Sequence, residues 1–510
     1  MKRILLCGTL AFALFSCNED SSITPVTTTP ETDVQATLTR AELNTIVETQ
    51  LLATNEVFNW NDASERVVWS ALELSENEAV IGYQPAGYEN IKETIHEIDV
   101  NAGAWKTIRD ELMTDLLEAT ERLTGEAVTA EDLFFIDEAN ILPHLEFKAL
   151  HPGILTEFSG RADVRYLEPT NYRGGELELR SGSGCSEAPS SGLFSADYTT
   201  VSPGSKVPWN YNFMNIQQAW STSRGAGIGI AIIDTGVYPE QSNLGSQFND
   251  DWSNVGRSVA KFGTYAPNWW SSSTDGPNDR CGHGTQMSGL AAGPRTNDGS
   301  TVGVAYQANL RSYRATSDVI INGSREKRGV RDALTSAGSH SGTKVISMSI
   351  GDVFSSGTVS DGIYYAYNRD KLILAAAGTS LSWTSWYGVI FPANMSETTA
   401  VTGIRDGNNM QRCNTCHDGS QVDFVAVMQR DSDSDRTSLT LSRDNDSPGY
   451  VGGSSAATAT TAGIAALVWA TNPGQSRNQV LNRMKNAASI YPGRDGNFGW
   501  GLIDANAAVQ

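Results

Sequence analysis

The sequence predicts an α/β fold of three layers, a mostly parallel sheet between helices, preceded by a smaller α+β domain. Three observations carry this. Four short apolar runs, residues 229–233, 344–350, 372–377 and 422–427, read as buried strands. Helix-like segments at 285–292, 330–337 and 360–369 lie between them, and strands that alternate with helices pair in parallel through crossovers. Upstream, Trp105, Ile108, Leu112, Leu116 and Leu117 recur near helical spacing among Glu and Arg. That pattern sets a separate, helix-rich block apart from the strand-bearing region downstream.

In chain order, residues 1–17 read as an export signal. Lys2 and Arg3 lead a mostly apolar stretch at 4–15, too short to span a bilayer. Its end, Leu14-Phe15-Ser16-Cys17, resembles a bacterial lipoprotein signal, in which the cysteine carries the lipid. The resemblance implies an exported protein, at the outer membrane or cell surface or secreted after processing, held to a membrane through Cys17 lipid alone. Residues 18–35 are rich in Thr, Ser and Pro and read as a disordered tether. Residues 36–172 form the smaller domain. Its end reads as a strand at 145–150, a short helix at 151–160 and a strand at 163–169. Residues 173–206 are Gly/Ser-rich and read as a linker with a processing site. Residues 207–510 form the second domain. The chain of 510 residues carries 37 Lys+Arg against 58 Asp+Glu, a net charge of −21, which argues against nucleic acid as a partner.

Of the six cysteines, Cys7 and Cys17 fall in the signal. The other four allow three pairings. In an oxidising compartment the expected set is a small Cys413–Cys416 loop and a Cys185–Cys281 bridge.

The run 453–463 crowds small residues around Ser454 and Ser455 and leads straight into Ile464, Ala465, Ala466, Leu467 and Val468. It predicts a tight turn feeding a buried helix. A serine in the first turn of such a helix lies beside unpaired N–H groups that attract negative charge, which suits acyl chemistry. A serine nucleophile needs a base, and histidine titrates near neutrality. The second domain holds His283, His340 and His417. Only His283, in Cys281-Gly282-His283-Gly284-Thr285, stands between glycines just ahead of an apolar helix. Asp234 closes the strand at 229–233, where a buried acid needs a partner. The order Asp, His, Ser is one of three in which this triad recurs.

At this point the chain resembles the subtilisin-like serine proteases, the subtilases. Ala231-Ile232-Ile233-Asp234-Thr235-Gly236-Val237 is similar to the family's aspartate motif, and Gly282-His283-Gly284-Thr285 to its histidine motif. Ser454-Ser455-Ala456-Ala457 with Ala462-Gly463 is similar to its serine motif, and the Ala-Gly spacing selects Ser455 over Ser454. The resemblance covers about 201–510 and implies a subtilisin-like fold. It implies a serine endopeptidase with Asp234, His283 and Ser455 catalytic, acting on protein or peptide substrates without a cofactor for the chemistry. Residues 36–172 become a propeptide domain, an intramolecular inhibitor in a zymogen. Ser349-Ile350-Gly351 resembles one wall of the substrate cleft, and the run 375–378, with Ala376 and Gly378, the wall of the primary pocket. Three positions depart from the pattern. Thr379 stands where an asparagine donates to the oxyanion, Ala459 replaces a proline, and Gln286 replaces a second histidine. The alternative is therefore a catalytically weak relative that binds peptides or only processes itself. Asp352, where a second glycine is common, reads as a solvated turn aspartate.

Two motifs are set aside and one reading is weighed. Cys413-Asn414-Thr415-Cys416-His417 matches a c-type haem attachment pattern but lies in a loop without other haem features. Gly225, Gly227 and Gly229 precede a strand, whereas a dinucleotide fingerprint comes after one. Structural calcium is an expectation from the family, with Asp431, Asp433 and Asp435 as the segment weighed for it. The spacing favours a solvated acidic turn there.

Overall fold

The computed structural model describes residues 37–175, 185, 192–380, 385–407, 409–442 and 447–510. The expected signal, the Cys17 lipid site and the tether lie outside them. Residues Thr37–Gln510 form one unit containing both expected domains.

The N-terminal domain opens with two capped helices, α1 (Arg40–Thr54) and α2 (Glu65–Glu73). Thr39 and Glu42 close a capping box on the first, and Ser64 accepts from Val67 N–H on the second. Then come β1 (Glu78–Tyr83), the long helix α3 (Gly103–Thr124), β2 (Phe134–Phe135), β3 (His144–Lys148), α4 (Gly153–Phe158) and β4 (Val164–Pro169). The four strands pair antiparallel in the order β2-β3-β1-β4. The strand, short helix and strand read from residues 145–169 are β3, α4 and β4.

In the second domain a hairpin comes first, β5 (Tyr198–Val201) with β6 (Ser205–Pro208). It falls inside the stretch read as a linker. Next are β7 (Gly229–Asp234), β8 (Val259–Gly263), α5 (His283–Ala292), β9 (Asn309–Arg314), α6 (Ser324–Ser339), β10 (Thr343–Met348), α7 (Gly357–Asn368), β11 (Leu372–Ala376), β12 (Thr399–Arg405) and β13 (Val422–Gln429). Beyond them lie β14 (Ser438–Leu441), β15 (Pro448–Val451), α8 (Gly453–Ala470) and α9 (Arg477–Asn486). Seven strands form one parallel sheet in the order β13-β12-β11-β10-β7-β9-β8. Two apolar clusters fill its faces. One carries Ile230, Ile232 and the small residues of α8, and the other Ile233, Ile346 and the inner face of α6. α8 is built of small and apolar residues on every side because nearly all of it is buried.

The N-terminal sheet packs on α6 and α7 through charge as well as apolar surface. Arg165 reaches both oxygens of Asp361, at 2.8 and 2.7 Å, and Tyr166 Oη donates to the same carboxylate at 2.9 Å. Gly357 N–H, at the start of α7, donates to Glu168 at 2.7 Å, placing a carboxylate at a helix N-terminus. Arg328 binds Glu146 and Arg331 binds Asp137, each with a 2.6 Å contact. Phe58 adds a backbone rung, its N–H donating to Val353 O at 2.8 Å and its carbonyl accepting from Ser355 N–H at 2.9 Å.

That rung corrects the reading of Asp352. The residue is buried, its Oδ1 accepts from Val353 N–H at 2.7 Å, and burial pushes its carboxyl up to about 7. The N-terminal domain covers the strand it sits on, and nothing local in the sequence announces that cover.

Candidate active site

Parallel strands that start together end together, and their carboxyl ends line a crevice. Here the register sets Met348 beside Ile233 on one side and beside Ala375 on the other. The next residues along, Asp234, Ser349 and Ala376, therefore emerge at one edge. Asp234 is fully buried and its carboxylate faces His283, with Nδ1 2.8 Å from Oδ1 and 3.0 Å from Oδ2. A ring nitrogen that meets a carboxylate carries the proton, which leaves Nε2 as the free base. Burial is the largest single effect and pushes the imidazole pKa down, but the charge and hydrogen bond of Asp234, with the charge of Asp279, together outweigh it and hold the pKa above its ordinary value.

A second acid holds the loop that presents His283. Asp279 is 2% exposed and accepts five hydrogen bonds. Oδ1 takes Thr235 Oγ1, Cys281 N and Gly282 N at 2.9, 2.9 and 2.8 Å. Oδ2 takes Thr285 N and Oγ1 at 3.0 and 2.7 Å. Thr235, next to Asp234, also accepts from Gly284 N–H at 2.9 Å. The sequence reading missed Asp279. The signal was present: an acid just ahead of a helix, six residues before a threonine, is a cap for that helix's orphan N–H groups.

Opposite lies the start of α8. Gly453 takes φ +79°, a left-handed turn that suits glycine, and puts the two serines on different sides. Ser454 is 1% exposed and engaged with the Gly378 peptide, donating to its carbonyl at 2.9 Å and accepting from its N–H at 3.3 Å. Ser455 is half-buried and opens into a cleft of about 420 Å³. Its hydroxyl donates to Ser349 O at 3.3 Å rather than to His283, and Ser349 Oγ donates back to Ser455 O at 3.0 Å. The lining of that cleft includes His283, Ser349, Ile350, Gly351, Ala376, Gly378 and Thr379 together with Ser455. Thr379 Oγ1 stands 3.5 Å from Ser454 Oγ, and a backbone bridge ties Thr379 to Cys416.

The disulfides are Cys185–Cys281, two residues before His283, and Cys413–Cys416, behind Thr379. Bridged sulfurs leave no thiol for haem attachment at 413–417. His417 is fully buried, its Nδ1 bonds Gly388 O at 2.8 Å, and burial pushes it down to about 4. His340 bonds Thr343 within its own loop. Neither lines the cleft. Among the described residues no group of three or more His, Cys, Asp or Glu is arranged to hold a metal ion, and Asp433 accepts from Asp435 N–H within its turn. Among the described residues no helix is long and apolar enough to cross a membrane.

The family model described as the subtilase family matches residues 225–501, more than half of the chain. The chain belongs to the subtilase family of serine proteases. This subtilase is 28% identical to thermitase of Thermoactinomyces vulgaris over 293 residues, which is 58% of this chain and 92% of thermitase. It is 30% identical to alkaline elastase YaB of Bacillus sp. (strain YaB) over 320 residues, 62% of this chain and 72% of that protein. Its fold is similar to that of fervidolysin from Fervidobacterium pennivorans, with a TM-score of 0.59 and 16% identity. That alignment covers 85% of this chain and 61% of fervidolysin.

Proposed function

We propose that this subtilase is an exported serine endopeptidase, made as a zymogen, that cleaves peptide bonds through Ser455, His283 and Asp234. The observation that carries the reading is the 2.8 Å contact between buried Asp234 and His283, at a cleft that Ser455 enters from a helix start. Ser455 Oγ turns about its Cα–Cβ bond from Ser349 O towards His283 Nε2. It attacks the substrate carbonyl carbon while Nε2 takes its proton. The proton then passes to the leaving amine, the C–N bond breaks, and water repeats the sequence on the acyl-enzyme. Asp234 fixes the tautomer and stabilises the imidazolium. The Ser455 backbone N–H, in the first turn of α8, and the Thr379 hydroxyl serve the oxyanion. The N-terminal domain acts as propeptide and intramolecular inhibitor, and the signal at 1–17 directs export and lipid attachment.

Labelling with a fluorophosphonate and then mapping the modified peptide tests this. Modification at Ser455, lost in Ser455→Ala together with turnover of a protein substrate, is the expected result. Modification elsewhere, or turnover that survives the substitution, refutes it. Thr379 favours a second reading, a weak relative that processes only itself or binds peptides. In that case Ser455→Ala abolishes self-cleavage while the wild-type chain turns over no added substrate.

A further inference from the structure

The proposed peptidase reading leaves open which side chain the cleft accepts beside the scissile bond. Its two walls are backbone, Ser349-Ile350-Gly351 on one side and the 376–378 run on the other. Of the side chains that line the cleft, that of Ile390 lies against both. Ile390 N–H donates to Ala377 O at 2.9 Å, which fixes it to the second wall. The next residue, Phe391, exchanges two 2.9 Å backbone hydrogen bonds with Asp352, which fixes it to the first. A methyl group built on Gly351 would stand 2.5 Å from Ile390 Cδ1, and one built on Gly378 would stand 2.9 Å from Ile390 Cγ2. The branches of one isoleucine thus press on both walls. Ile390 belongs to one buried cluster with Val353, Phe354 and Trp386. The cleft lining holds no Asp, Glu, Lys or Arg among the described residues.

We infer that Ile390 is the floor of the primary pocket and restricts this protease to bonds that come after small, uncharged side chains, Gly, Ala or Ser. The inference rests on the peptidase reading above. A branched aliphatic group between two close backbones leaves room for a methyl or hydroxymethyl group and none for a ring. No charge is present to recruit a basic or acidic residue.

The test uses the full chain after its own processing. Cleavage sites in a denatured protein are mapped by mass spectrometry, and kcat/KM is measured on two peptides that differ only by Ala or Phe before the scissile bond. The expected wild-type result is sites after small residues and an Ala/Phe ratio of at least about tenfold. Ile390→Gly, with Ile390→Ala as the milder variant, lowers that ratio by at least about tenfold. Sites after Phe, Tyr or Leu as frequent as those after Ala in the wild type overturn the inference, even if neither variant folds. So does a ratio that both folded variants leave unchanged. Fluorophosphonate labelling of the same samples separates pocket from peptidase. Labelled Ser455 with cleavage after large residues refutes the pocket and spares the peptidase. A chain that neither labels nor cuts refutes both.

Discussion

Asp279→Asn removes a charge and almost no volume from the network that seats His283. The carboxylate accepts three hydrogen bonds on Oδ1 and two on Oδ2. An amide turns one oxygen into a donor, and the cheaper placement sets that donor against the Thr285 pair, losing two bonds. Hydrogen bonds to a charged group contribute about 1.5–3 kcal/mol each, so the loss lies in a range of about 3–6 kcal/mol. Burial holds the Asp279 carboxyl above its usual pKa, and the five bonds offset only part of that penalty. The ionised form is therefore costly, and the expected loss falls at the low end, about 3 kcal/mol. The groups set free are the N–H and hydroxyl of Thr285, two residues past His283 in the first turn of its helix. A displacement of the imidazole by about 1 Å costs about a hundredfold in rate. Thermal unfolding of Ser455→Ala with and without Asp279→Asn reads the stability. Fluorophosphonate labelling of Asp279→Asn against the wild type reads the rate. Labelling at the wild-type rate would refute the claim that Asp279 positions His283, whatever the stability does.

Three further outcomes are expected. His283 is raised above its ordinary value, so activity, which needs the neutral ring, falls as pH drops through that raised pKa. The stability given by its ion pair with Asp234 runs the other way, complete below the unfolded pKa and lost as pH rises through the folded one. Asp234→Asn should move the acid limb of kcat/KM to lower pH, while lowering its plateau. Thr379→Val should slow turnover by about 10²-fold or less if the hydroxyl serves the oxyanion, and Thr379→Asn should restore or exceed the wild-type rate. An unchanged rate in Thr379→Val assigns that role elsewhere. Glu168, on β4, is buried against the start of α7 and burial pushes it up to about 7, so the stability it supports is full below the ordinary carboxylate value and lost as pH rises through 7. Denaturation of the Ser455→Ala chain at pH 5 and pH 8 should show a loss that Glu168→Gln reduces, and equal losses in both chains would remove Glu168 from the account.

The parts of this fold that the sequence spells out are those with local causes. The strand ending in Asp234, the glycines around His283 and the small-residue turn into Ile464 each state their conformation within a few residues. Four of the seven strands of the parallel sheet are nearly continuous apolar runs and are legible for that reason. The other three are not. β8 carries Lys261, β9 carries Arg311 and Arg314, and the apolar run of β12 is broken by Thr399, Thr402, Gly403 and Arg405. Arg314 is held by Asp275 at 2.8 Å, a partner 39 residues away, with the Thr235 and Thr316 carbonyls taking its other N–H groups. Asp352 escapes a local reading for the same kind of reason. Its burial depends on Phe58, in the other domain, and no window around residue 352 contains that information.

The β5–β6 hairpin has a practical corollary for anyone who expresses this enzyme in pieces. Composition suggests starting a catalytic fragment near residue 207. Just ahead of that point, Asp197 is fully enclosed and neutralises Arg436 at 2.6 Å and Arg430 at 3.1 Å while accepting from Tyr450 at 2.8 Å. A fragment begun at 207 would remove the anion these two guanidiniums share, leaving Arg430 its 3.2 Å pairing with Asp406. A soluble version should begin before Phe194, so that the acid travels with the arginines it balances.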